Sequence, residues 1–179
     1  MELGQATNME FAVSVKRAEV LRGLGYGSKG SPREDVARRL DELWDVAGDL
    51  LTPRGAYALI TGESAATAGM PAPTDLVGAG VCTIGPALEL EARRKSDAGR
   101  VLDALLLDTI GSAAAEAAAG LLDSKLCSAA ASMGLKAGGR ISPGYGKWHV
   151  RYQAQLLSHL PVNGLGISLT EGMMMVPAK

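Results

Sequence analysis

Residues 99–133, GRVLDALLLDTIGSAAAEAAAGLLDSKLCSAAASM, are the longest apolar segment of the chain and restrict its fold most. Alanine is the best helix former, so the stretch predicts one long helix, with Gly111 and Gly120 as the points where it could bend or divide. Each Ala buries little area, and such a helix is held only where other backbones come close. The composition suits that arrangement: 28 Ala and 23 Gly stand against one Phe, four Tyr and two Trp in 179 residues. Asp108, Ser112, Glu116 and Asp123 fall within about 80° of one another on a helical wheel. Charged groups facing a packed region need partners, so this stripe is either solvent-facing and internally paired or a polar wall beside a ligand groove.

A chain of this length ordinarily builds one core. Residues 1–14 read as a loose lead and 15–179 as a single domain. Lys and Arg number 18 and Asp and Glu 19, a net charge of −1 with no basic footprint, which argues against a nucleic-acid partner. No run approaches about 18 uninterrupted apolar, uncharged residues, and the expectation is no membrane partner. The start, MELGQATNMEFAVSVKR, lacks a basic segment followed by an apolar run of roughly 7 to 15 residues, so the expected location is cytoplasmic. Cys82 and Cys127 lie outside any CxxC pair and predict reduced thiols with no metal site. His149 and His159 are ten apart, about 280° out of phase on a helix, which rules out an i,i+4 metal pair.

Helical spacing predicts a helix through RAEVLRGLG and another through PREDVARRLDELWDVAGDLL, with Val36, Leu40, Leu43, Trp44 and Ala47 on its buried face. Ser28–Pro32 reads as a linker between them. GAYALITG and VCTIG read as strands, 63–79 as a turn-rich stretch containing a loop, and Pro86 as the start of a helix through LELEARR. HVRYQAQLLSHL predicts a helix ended by Pro161, and GISLT with MMMV a hairpin about Glu171 and Gly172.

The concentrated chemical signal is RISPGYGKW at 140–148. Pro143 fixes one dihedral, while Gly144 and Gly146 let the backbone turn around a small ligand. Arg140 can hold a carboxylate through a two-pronged hydrogen bond that Lys cannot reproduce. Tyr145 supplies a flat face and a hydroxyl, and a helix opening near Trp148 would add free amide donors. These groups suit a ligand with an amino-acid end and a flat end; a structural turn locked by Tyr and Trp packing accounts for them equally well. GxGxxG, the phosphate-cradling G-x-x-x-x-G-K-[ST] loop and the G-x-S-x-G nucleophile elbow do not occur.

Taken in order, EVLRGLGYGSKG at 19–30, DELWD followed by LTPRGAY at 51–57, LLLDTIGSAAAEAAAGLL at 105–122, RISPGYGKW and GISLTEGMMMVPAK at 166–179 resemble the activation domain of cobalamin-dependent methionine synthase, and particularly its free-standing relatives. The resemblance implies an α+β fold, with a twisted, mainly antiparallel sheet and flanking helices, and S-adenosylmethionine in a shallow site. In that family the ligand methylates a corrinoid that has slipped to the inactive cob(II) state, once flavodoxin or another electron donor has reduced it. A separate corrinoid-binding protein or methyltransferase brings the cofactor. The family's R-x-x-P-G-Y motif maps onto Arg140, Pro143, Gly144 and Tyr145, with Ser142 inside it. Arg140 would hold the ligand's carboxylate, and Glu116 and Asp108 match acidic positions near its sulfonium or amino group. The chain lacks a D-x-H-x-x-G cobalt-ligand motif, so it should hold no corrinoid tightly, and methionine synthesis by this chain alone is not implied. The family continues beyond the position matched by Lys179, which implies a C-terminally shortened domain. A non-catalytic docking protein for a corrinoid protein and a divergent small-molecule binder are the alternatives.

Overall fold

The computed structural model describes residues 3–27, 30–71 and 74–179. Ser28 and Lys29 of the expected linker, Met1 and Glu2 of the lead, and Ala72 and Pro73 of the expected loop lie outside the described residues. The Ala-rich segment is one helix of 32 residues, Val101–Ser132, and Gly111 and Gly120 do not divide it. Its length and hydropathy would suffice to cross a bilayer, yet one face of it, including Asp103, Leu106, Leu107, Ile110, Ala114, Ala118 and Leu122, is buried inside the protein.

The sheet beneath it has three antiparallel strands in the order β1 (Thr7–Glu10), β2 (Arg54–Thr61) and β3 (Leu76–Thr83). β1 lies within the segment read as a loose lead, paired from Thr7 opposite Tyr57 to Glu10 opposite Arg54. β3 begins inside the segment read as containing a loop, because Gly78 and Gly80 look like turn formers in sequence. Their lack of a side chain serves packing instead. A Cβ at Gly80 would lie 2.8 Å from Leu122 Cδ2, and one at Gly78 2.9 Å from Leu126 Cδ2, so the long helix can press directly on the sheet. The same segment holds a short helix, α3 (Gly62–Thr67), whose N-cap Thr61 accepts a hydrogen bond from the Ser64 amide.

Alternation along the strands divides the packing into two cores. On the helix side, α1 (Arg17–Gly23), α2 (Glu34–Asp49), α4 (Ala87–Asp97) and the long helix, α5, enclose Val20, Leu40, Leu43, Ile84, Leu88, Leu106, Leu107 and Ile110. Leu40, Leu43 and Ala47 are the fully buried members of the α2 stripe. The left-handed Gly99 ends α4, with the Arg100 amide returning to the Lys95 carbonyl, and turns the chain into α5. On the other side, Ala56, Ala58, Ile60, Ala79 and Val81 of the sheet meet Leu157, Leu160, Leu165 and Ile167.

The helix expected through 149–160 is shorter than its pattern. A 3-10 turn, Val150–Tyr152, leads into α6 (Gln153–Leu157). β4 (Ser168–Leu169) and β5 (Met175–Val176) then pair as the expected hairpin, closed by the Thr170 amide on the Met174 carbonyl at 2.9 Å. The fold is α+β, with antiparallel sheets and flanking helices.

Candidate functional site

Arg140 meets Glu116: its Nη2 donates to Glu116 Oε1 from 24 positions away in the chain. Glu116 projects from the middle of α5, and Arg140 opens the loop that leads to the far side of the sheet. The Arg140 side chain is 39% exposed, and one of its five N–H groups is committed to this contact, so the remaining donors are available to a ligand.

The loop after Arg140 holds its shape through its own backbone. The Tyr145 amide donates to the Ser142 carbonyl at 3.2 Å, the Trp148 amide to the Tyr145 carbonyl at 3.1 Å, and the Gly144 amide to the Trp148 carbonyl at 2.7 Å. Gly144 has φ +93° and Gly146 φ +57°, the left-handed region these tight turns need. Trp148 is buried and donates Nε1–H to the Ala68 carbonyl. A 3-10 helix does open near Trp148, at Val150, but the amides of Trp148, Arg151 and Tyr152 are spent locally, which shrinks the expected cluster of free donors. The following turn starts at Val150, where His149 Nδ1 accepts from the Arg151 amide. Pro143 is half-buried, Ser142 is exposed, and Tyr145 is 77% exposed. Of the two aromatic residues, only Trp148 locks the loop.

Asp108 lies on the same stripe of α5 but pairs elsewhere, with the Lys179 ammonium on its carboxylate. Eight residues of helix separate it from Glu116, about 12 Å along the axis. Arg140 and Glu116 are therefore brought into contact, while Asp108 marks a second point farther along the same wall.

The residue reading did not connect two further groups to this region. Cys82, on the helix-facing side of β3, has its thiol pushed up to about 11, chiefly by burial; Arg140 partly opposes the shift and Glu116 adds to it. The thiol is neutral at ordinary pH and a poor nucleophile there. Its alternation with Gly78 and Gly80 was the available signal that it faces α5. Lys179 had no local signal, because its partner lies 71 positions away. Among the described residues, no three His, Cys, Asp or Glu side chains gather as a metal site.

Together these elements define an α+β fold of the methionine synthase reactivation-domain type. The chain is similar to the crystal structure of the MetH reactivation domain bound to AdoHcy, with a TM-score of 0.67 and 14% identity, over 97% of this chain and 75% of that one. At that identity the likeness is one of fold. No protein-family model matches the sequence, and no curated protein does.

Proposed function

We propose that this chain binds S-adenosylmethionine along the Asp108–Glu116–Arg140 wall and supports reductive methylation of a corrinoid carried by a separate protein. The observation that carries the reading is the contact between Arg140 and Glu116. A guanidinium beside a carboxylate complements the carboxylate and ammonium of an amino-acid end, each charge of the ligand meeting its opposite. The length of wall from Glu116 to Asp108, about 12 Å, suits a ligand that extends from an amino-acid end toward a nucleoside. That the similar MetH reactivation domain was solved with AdoHcy bound supports the same ligand class.

S-adenosylmethionine brings its own activated methyl group on a positive sulfur. The work left to the chain is placement. Arg140 fixes the carboxylate, Glu116 takes the ammonium, and the Ser142–Tyr145 turn limits how the ligand lies, so that the methyl group is presented toward a docked partner. No proton need be moved by a side chain. The corrinoid belongs to the partner, with flavodoxin or another reductant supplying the electron.

Calorimetric titration with S-adenosylmethionine tests the reading. Arg140→Ala should weaken binding at least about ten-fold, the range for loss of hydrogen bonds to a charged group, with thermal unfolding little changed. Equal affinity in both proteins would remove Arg140 from the site.

A docking role without ligand has its own support. Val101, Leu102 and Leu105 stand exposed along the first turns of α5, with Val101 68% exposed. That reading expects a complex with a corrinoid protein whose affinity is the same with and without S-adenosylmethionine.

A further inference from the structure

Val176–Lys179 leaves the hairpin and crosses toward α4 and α5, tied to three separate elements. The Ala178 amide donates to Glu89 Oε2 on α4 at 2.9 Å. Thr83 Oγ1, at the end of β3, donates to the main-chain oxygen of Lys179 at 2.7 Å. The Lys179 ammonium donates to the Asp108 carbonyl at 3.0 Å and also pairs with the Asp108 carboxylate.

The alkyl chain of Lys179 lies in a trough bordered by Ile84, Leu88, Leu107 and Gly111. A Cβ at Gly111 would stand 3.4 Å from Lys179 Cδ, at van der Waals distance, so the lysine stem lies close against the α5 backbone there. The space left in the trough is about 10 Å³, no more than one water needs. Without the lysine side chain, what remains is an apolar channel ending on a carboxylate and a carbonyl. That is recognition chemistry for a cationic group on an apolar arm.

We infer that Lys179 is the internal occupant of this trough, and that Val176–Lys179 is a strap which S-adenosylmethionine must lift to extend its nucleoside end to Asp108. The inference rests on the ligand reading above. It adds that ligand on the wall and Lys179 on Asp108 exclude one another. The Asp108 side chain is 58% exposed, so the pair is a surface one and biases an equilibrium by only about two- to five-fold. A contact of that strength can hold the strap in the free protein and still yield to a ligand.

The test titrates wild type and Lys179→Ala with S-adenosylmethionine and follows amide exchange at Ala178. Binding about two- to five-fold tighter in Lys179→Ala, with the wild-type Ala178 amide losing protection when ligand is added, supports the strap. Equal or weaker binding in the variant, with Ala178 protection unchanged by ligand, overturns the strap and leaves the ligand reading standing. Absence of binding by both proteins overturns both.

Discussion

The indole Nε1 of Trp148 donates to the main-chain carbonyl of Ala68 at 2.8 Å, a bond between residues 80 positions apart. It ties the loop bearing Arg140 to the residue that ends α3, and it satisfies a buried donor and a buried acceptor at once. Trp148→Phe keeps most of the apolar contact and leaves the carbonyl unpaired, which should cost about 1–3 kcal/mol. Trp148→Ala also opens a cavity and should cost about 3–5 kcal/mol. Urea unfolding measures both, and equal losses would show that packing alone anchors the loop.

Asp103 at the start of α5 takes a two-pronged bond from Arg39 of α2. The Arg39 hydrogen bonds hold its carboxyl below the usual carboxylate range, although its burial pulls the other way. Glu91, bonded by Arg94 and Lys95, is held down to about 2. Both groups are depressed in the folded state, so the stability they add is complete above their unfolded values near pH 4. It is lost as pH falls through the folded ones. The urea midpoint should therefore drop between about pH 4.5 and 2, and Asp103→Asn should make that drop shallower. An identical acid profile in the variant would exclude Asp103 as a source.

Two glycines should respond oppositely to alanine. A Cβ at Gly62 would sit 1.7 Å from the main-chain oxygen of Thr74, a clash that only backbone movement relieves, so Gly62→Ala should destabilise by about 1–3 kcal/mol or more. Gly120 lies inside α5 and a Cβ there meets nothing, so Gly120→Ala should stabilise by about 0.5–1 kcal/mol. Thermal midpoints of the two variants check the signs.

Helices were legible where one face carries large apolar residues at regular spacing. Leu40, Leu43 and Ala47 define α2 without any tertiary information, and the alanines of α5 suffice for its length. β3 was half legible. Val81 and Cys82 mark it, but Gly78 and Gly80 resemble a turn until the helix pressing on them is known. Thr7–Glu10 carries almost no apolar signal, and its strand exists because β2 offers an edge. Within the candidate site, RISPGYGKW was legible as a tight turn from Pro143, Gly144 and Gly146. The spending of its amides was not, because that depends on how the turn closes on Trp148. The pairing of Arg140 with Glu116, and of Lys179 with Asp108, joins charges distant in sequence, and nothing local encodes it.

The two cores share one thin sheet but recruit different parts of the chain. The helix-side core draws on residues from α1, α2, α4 and α5, whereas the other draws its non-sheet members largely from the segment after Arg140. Local opening of that later segment would separate Arg140 from Glu116 while leaving α5 seated in its own core. A ligand that bridges the two charges would thus act as a clasp between two cooperative units, slowing exchange from Arg140 to Met175, short of the strap, rather than only at the atoms it touches.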